Sequence, residues 1–400
     1  MFGSGKTIVA LVAMLNAIEL GVQAVLMAPT SILAKQHFDT IQTLTKNLGV
    51  NCALLTSQEK GKARETILQN LIENKINLLI GTHALFQESV KFHDLAIVII
   101  DEQHRFGVHQ RLALTAKGEN CDILVMTATP IPRTLVLTSY GDLDVSRLTD
   151  KPANRKPIIT RLISIKRYDE VIERIRVALT TKDQIYWVCP LIEDLESTDL
   201  AAAEDRYSQL HNLFGDRVGL IHGQMKKEQK NTVISAFLNG SIDVLVATTV
   251  IEVGVDIPSA TIMIIEHAER FGLSQLHQLR GRVGRSGRQS SCLLMYQSPL
   301  NRIARQRLEV MRNTQDGFII AEEDLRLRGA GELLGTRQSG VPEFHIADIA
   351  TDTNLLNIAH NDASMIMKTD PKLQSARGKA LQTLLYLFER DAAIQNLNSG

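Results

Sequence analysis

Short aliphatic runs separated by longer mixed stretches set the rhythm of this chain. Ala24 to Ala28 (AVLMA), Ile76 to Ile80, Leu95 to Ile100 (LAIVII) and Ile123 to Met126 come first. After a polar gap the pattern restarts with Gln184 to Val188, Val218 to Ile221, Val244 to Ala247, Thr261 to Ile265 and Ser291 to Tyr296. Uninterrupted runs this short fit strands buried on both faces of a parallel sheet, and the stretches between them are long enough for crossover helices. The first helix is predicted over Ile8 to Leu20, with Ile8, Val9, Leu11, Val12, Leu15 and Ile18 as its apolar face. The gap, Lys151 to Pro157 (KPANRKP), carries two prolines and marks a linker. After about residue 300 the strand signals fade and charged helical segments take over. The expected fold is α/β: two parallel-sheet lobes, residues 1–150 and 151–300, then a mostly helical region over 301–400.

Composition sharpens this outline. The 400 residues exceed what one core supports, about 250–300 residues. Lys+Arg and Asp+Glu each number 44, so no global field favours nucleic acid and any basic surface must be local. Hydrophobic residues make up 44% and aromatics only 4%, which suits aliphatic strands. Cys52, Cys121, Cys189 and Cys292 are scattered without a close pair, which indicates thiols in a reducing compartment and argues against a disulfide or zinc framework. No apolar run approaches the ~20 residues of a membrane span and the start is no signal peptide, so a cytoplasmic protein with no membrane partner is expected.

Candidate chemistry starts at the first residues. Gly3-Ser4-Gly5-Lys6-Thr7 matches the second half of the loop G-x-x-x-x-G-K-[ST], whose first glycine would fall one residue before Met1. In such a loop backbone N–H groups cradle phosphates, the lysine reaches the outer phosphate oxygens and the hydroxyl holds Mg²⁺. A helix starting there aims its dipole at the phosphates. A flexible linker is the bland alternative, and the helical periodicity after the loop argues against it. The strand that leads into such a loop is expected to be missing from this chain. Leu95 to Ile100 runs into Asp101-Glu102, acidic residues at the carboxyl end of a buried strand, where open parallel sheets bind ligands. Asp101 would hold Mg²⁺, and Glu102 would orient or deprotonate an attacking water. Gln278 to Arg285 (QLRGRVGR) interleaves glycine with arginine, a poor composition for a surface helix. Its Arg282 and Arg285 carry planar, permanent charges suited to phosphate oxygens and to the charge that develops in phosphoryl transfer.

Together these segments resemble superfamily 2 helicase motors, and more narrowly the RecG helicases, over essentially the whole chain. GSGKT resembles motif I, Ala28-Pro29-Thr30 with Leu33 to His37 motif Ia, and Gly81-Thr82-His83 motif Ib. Asp101 to Val108 (DEQHRFGV) is similar to motif II, and Met126 to Thr134 (MTATPIPRT) to motif III. Ile221-His222-Gly223 resembles the motif IV region, Val246 to Asp256 motif V, and Gln278 to Arg285 motif VI. Thr314 to Gly340 resembles the translocation motif that RecG shares with the transcription-repair coupling factor. The D-E-Q-H of motif II is RecG-like, where the coupling factor usually has D-E-E.

The resemblance implies two RecA-like lobes and a helical translocation region, ATP with Mg²⁺, and a monomeric motor working on duplex or branched DNA in recombination and repair. It implies catalytic roles for Lys6, Asp101, Glu102, Gln278, Arg282 and Arg285. It also implies nucleotide contacts from Gly3, Ser4, Gly5, Lys6, Thr7 and Asp256, with Thr7 and Asp101 as the Mg²⁺ ligands. Thr30, Thr82, Thr248, Arg337 and Gln338 would meet DNA. The departure is at the front: the family's N-terminal wedge domain has no counterpart here, and Met1-Phe2 stand where the family usually has Asp-Val. The alternatives are a non-catalytic DNA- or nucleotide-binding fragment, or a coupling-factor motor.

Overall fold

The computed structural model describes residues 5–102, 117–118, 121–127, 145–148, 156–190, 196–248, 257, 259–284, 287–328 and 352–388. The first lobe runs α1 (Lys6–Glu19), β1 (Gln23–Met27), α2 (Ser31–Thr45), β2 (Cys52–Leu55), α3 (Gly61–Ile72), β3 (Leu78–Gly81), β4 (Leu95–Asp101) and β5 (Asp122–Met126). Its sheet is parallel throughout, in the order β2-β3-β1-β4-β5. β1 is buried at every position, because alternate residues serve opposite faces. Ala24 and Leu26 pack with Ala10, Met14 and Ile41 of α1 and α2, while Val25 and Met27 pack with Leu71 of α3 and Leu85.

The second lobe repeats the plan. β6 (Ile159–Ser164), α4 (Tyr168–Thr180), β7 (Gln184–Val188), α5 (Glu196–Phe214), β8 (Val218–Ile221), α6 (Lys227–Leu238), β9 (Val244–Ala247), β10 (Ala260–Ile265), α7 (Leu273–Arg280) and β11 (Ser291–Tyr296) build a sheet ordered β6-β11-β10-β7-β9-β8. Read from β8, the order matches the first sheet strand for strand, with β6 added beyond β11. One side chain marks the repeat. Gln23, at the start of β1, donates to Leu71 O and Ile76 O, both at 2.8 Å, and accepts from His93 N and Asp94 N. Gln184, at the start of β7, donates to Phe237 O and Ile242 O and accepts from Ser259 Oγ. Each buried amide closes the floor of its sheet by satisfying backbone groups that the strands leave over.

Helices follow the second sheet: α8 (Arg302–Asn313), α9 (Gly317–Arg328), α10 (Thr353–Thr369) and α11 (Ala376–Leu387). The chain divides into two compact units, residues 1–130 with 147–321, and residues 131–146 with 322–400. Both sheets belong to the first; α10 and α11 belong to the second. No helix among the described residues is long and apolar enough to cross a membrane.

The structure differs from the sequence expectation in α1. Leu11 is buried, with Ala10 and Met14, but Ile8, Val9 and Val12 are 49%, 48% and 52% exposed. The small Ala10 lets the helix lie close to the sheet on its 10–14 stripe, which turns residues 8, 9 and 12 outward. β2 and β6 were not foreseen. Both are edge strands: Thr160 and Arg161 break up the apolar run of β6, while β2 is only the four residues CALL, packed on both faces of its sheet. The cysteines are free thiols; Cys189 and Cys292 are buried, and burial pushes the Cys292 thiol up to about 12.

Candidate functional site

α1 is followed by a short turn into β1 and packs on β1 and β4, so it runs antiparallel to the strands. That brings its N-terminus to the carboxyl end of the sheet, where β4 delivers Asp101. Gly5 caps the helix in the left-handed region, at φ 85°, with open space around its Cα. Glycine is needed there for conformation, not for room. Gly5 O accepts from Ile8 N at 2.9 Å, and Lys6 and Thr7 are half-buried in the first turn. No acidic residue occupies that turn and no side chain caps it, so no carboxylate of the first turn offsets the positive end of the helix dipole.

Asp101 is held at both oxygens. Its Oδ1 accepts from Glu102 N at 3.1 Å, and its Oδ2 accepts from His37 Nε2 at 2.9 Å. His37 lies on α2, seven residues beyond Thr30, on the side of the helix that also buries Ala34 and Ile41. Glu102 has a positive φ of 54°, which a non-glycine residue adopts at a cost of about 1–2 kcal/mol. The bend folds its N–H back onto Asp101 and ends the strand. Strain of this kind gathers at functional sites.

For Mg²⁺ the fitting donor set is one or two carboxylates, a hydroxyl, and oxygens from water and phosphate. Asp101 carries such a carboxylate and Thr7 such a hydroxyl, at the strand end and in the first turn of α1. The described residues contain no cluster of three or more His, Cys, Asp or Glu side chains, so a protein-only cage of the zinc type is not present among them. The residues present fit a cation carried in by a nucleotide.

Thr30 caps α2 through its own side chain, which accepts from Leu33 N at 3.4 Å. Thr82 and Thr248 occupy equivalent places at the ends of β3 and β9, with their amides bonded to Leu55 O and Ile221 O, each at 3.3 Å. Both threonines are buried, and their hydroxyls have no partner among the described residues. Gln278 is half-buried on α7. Gly3, Ser4, Asp256, Arg285, Arg337 and Gln338 lie outside the described residues, as does most of the DEQHRFGV and MTATPIPRT segments.

The arginines of QLRGRVGR have different surroundings. Arg280, only 2% exposed, is turned inward: Nη1 donates to Met311 O at 2.7 Å and Thr314 O at 2.9 Å, and Nη2 donates to His277 Nδ1. Those carbonyls end α8, so a buried guanidinium closes that helix and fixes the turn into α9. Gln315 pins the same turn to the start of β6 by bonding Ile158 N and O. Arg282 is 6% exposed and lies in the turn after α7. The interleaved glycines make this turn: Gly281 ends α7, and Gly284 has φ 74°, where a Cβ would meet Ile158 Cγ1 at 2.9 Å. Arg280→Lys keeps the charge and loses the fork, and Arg280→Met loses both. Leaving two buried carbonyls unpaired costs about 1–3 kcal/mol each, so Arg280→Met should lower the urea midpoint well beyond the effect of Arg270→Met, at an exposed position.

His37 and Arg280 are the residues that sequence reasoning passed over. His37 stood in the sequence only as the end of the Leu33 to His37 segment. Nothing local separated Arg280 from Arg282.

Comparison with known proteins agrees with this geometry. A DEAD/DEAH box helicase model matches residues 2–137, and a helicase conserved C-terminal domain model matches residues 167–287. A model of ATP-dependent DNA helicase RecG, domain 3, C-terminal, matches residues 314–391. The ATP-dependent DNA helicase RecG of Pasteurella multocida (strain Pm70) is 50% identical over 377 residues, covering 93% of this chain and 54% of that protein. A solved structure of RecG bound to a three-way DNA junction aligns with a TM-score of 0.73 and 43% identity, over 88% of this chain and 46% of that one. Dbp5 of S. cerevisiae, solved with RNA and ADP BeF3, aligns at 0.56 with 15% identity, a likeness of fold alone. The chain spans about half the length of the curated relatives it matches. With RecG-specific sequence at residues 314–391 and half of its residues shared with a RecG protein through both sheets, the chain belongs to the RecG family of helicases.

Proposed function

We propose that this chain is the motor portion of an ATP-dependent DNA helicase and double-stranded DNA translocase that acts on branched DNA, in junction branch migration and fork regression. The observation that carries the reading is the Asp101 carboxylate. It is fixed at both oxygens and stands at the same end of the sheet as the N-terminus of α1. Gly3 to Thr7 hold the triphosphate and Asp256 the ribose. Thr7 and Asp101 hold Mg²⁺, which when bound offsets phosphate charge. Glu102 orients water for attack and takes its proton. Lys6, Arg282 and Arg285 neutralise the charge that builds up on the transferred phosphoryl group, and Gln278 adds a neutral hydrogen-bonding group.

DNA is held by its backbone, through Thr30, Thr82 and Thr248, and is pushed by the segment that carries Arg337 and Gln338. The inward hydroxyls of Thr82 and Thr248, whose amides are already bonded within the sheets, make that contact depend on a local opening. The division of labour follows residues 1–150, 151–300 and 301–400, and the motor works as a cytoplasmic monomer. The RecG-specific segment at residues 314–391 favours this reading over a coupling-factor motor.

One observation favours the second reading, a binding fragment without turnover. β5 has no outer neighbour among the described residues, whereas the equivalent β11 is covered by β6. Such an open edge weakens a sheet.

Backbone-directed DNA contact predicts binding to a three-way junction that falls steeply and linearly on a log–log plot against salt. Scrambling the base sequence should leave the affinity unchanged. Affinity that follows base sequence, or is indifferent to salt, would overturn the DNA assignment.

A further inference from the structure

The two sheets carry the same carboxylate twice. Their matching registers place Ile100 beside Met27 in the first and Ile265 beside Val188 in the second, so Asp101 and Glu266 are equivalent, one residue further on. The residue after each is left-handed, Glu102 at φ 54° and His267 at φ 47°. Each carboxylate is met by a basic side chain from the helix that follows the equivalent strand. His37 of α2 reaches Asp101 at 2.9 Å, and Arg206 of α5 reaches Glu266 at 2.7 Å.

The two pairings differ in what they leave available. In the second sheet, Arg206 stacks over the Tyr168 and Trp187 rings, with its guanidinium carbon 4.6 and 5.5 Å from their centroids. The other oxygen of Glu266 takes the Cys189 thiol at 3.8 Å. A guanidinium is a permanent charge, and through its one contact to Oε1 that buried acid is neutralised where it stands. In the first sheet His37 brings one N–H to one oxygen and the Glu102 amide brings another to the second. Each oxygen keeps lone-pair capacity.

We infer that His37 is the positioning residue for Asp101: it fixes the carboxylate's rotation while leaving it able to take a divalent cation, and Arg206–Glu266 is the same pairing in a form that excludes one. The inference rests on the assignment of Asp101 to the nucleotide's Mg²⁺. Removing a group that orients a metal-binding carboxylate typically weakens metal affinity by about 10–100-fold.

The test is Mn²⁺ binding in the presence of ADP, followed by electron paramagnetic resonance on the full chain, with ADP affinity in EDTA measured alongside. His37→Ala should weaken Mn²⁺ binding by about 10-fold or more while leaving metal-free ADP affinity unchanged. His37→Gln, which restores an N–H donor, should recover most of the loss. His37→Arg, which installs the second sheet's pairing, should lose Mn²⁺ more completely than His37→Ala. Arg206→His should leave the ADP-dependent Mn²⁺ affinity as it was, because Glu266 stands in the other sheet from the nucleotide's Asp101. Unaltered Mn²⁺ affinity in both His37→Ala and His37→Arg would overturn the inference, provided that Asp101→Asn still weakens it. If Asp101→Asn also has no effect, or the unaltered chain does not bind Mn²⁺ with ADP, the metal assignment itself falls and the inference with it.

Discussion

Glu102→Gln is expected to bind ATP as the unaltered chain does and to turn it over at least about a hundredfold more slowly. The substitution preserves size and keeps a side chain able to hydrogen-bond water. It removes the oxygen that can accept a proton. Proton transfer by a positioned base contributes about 10²–10⁴ in rate, and a triphosphate held without that base should remain bound and intact. The backbone should be indifferent, because the positive φ of 54° at this position burdens glutamine as it does glutamate. The Glu102 N–H that holds Asp101 Oδ1 belongs to the main chain and survives the change. Equilibrium nucleotide binding and steady-state turnover, measured on the same preparation, separate the two effects. Full turnover would remove Glu102 from the chemistry, and lost binding would give it a different role.

The largest expected effect on stability lies far from the chemistry, at Gln23. Its side chain is fully buried and spends both ends on backbone: two carbonyls, Leu71 O and Ile76 O, and two amides, His93 N and Asp94 N. Leucine fills nearly the same volume and satisfies none of them. Leu71 O also accepts from Asn74 N, which leaves three groups without a partner, and at about 1–3 kcal/mol each Gln23→Leu should lose at least about 3 kcal/mol. That is a large fraction of the whole stability of a domain, about 5–15 kcal/mol. The first lobe should therefore melt early in a urea titration followed by amide exchange, with β1 and β3 losing protection together. Gln184→Leu should do the same to β7 and β9, because its amide serves the equivalent carbonyls. Gln69→Leu, on an exposed face of α3, serves as the control and should shift stability by no more than about 0.5 kcal/mol. If Gln23→Leu unfolds at the same midpoint as that control, the amide is not a structural closure.

The sequence made a strand visible wherever its run is unbroken and apolar, at the edge strands β5 and β8 as well as inside the sheets. β7, β8, β9 and β11 appear within the sequence as unbroken apolar runs. β6 escaped because Thr160 and Arg161 interrupt its run at an exposed edge, and β2 because it is only four residues long. Periodicity placed α1 but not its orientation, because apolar residues surround that helix and Ala10 decides which side lies on the sheet.

Within the candidate site, Asp101 and Glu102 were legible because an acidic pair after a long apolar run must sit at a strand end. The contact from His37 crosses 64 positions of sequence, so only the fold could reveal it. Arg280 and Arg282 stand two residues apart with the same chemistry. Their surroundings are set by the turn at Gly281 and by the carbonyls of Met311 and Thr314, which no local pattern announces.

The most direct measurement is the rate of ATP hydrolysis by this chain with and without a three-way DNA junction. A motor that couples its sheets' chemistry to movement along DNA should hydrolyse faster when the junction is added, and Glu102→Gln should abolish both rates. ATP bound at equilibrium with a hydrolysis rate that the junction leaves unchanged would contradict the motor reading and leave a nucleotide-binding fragment in its place.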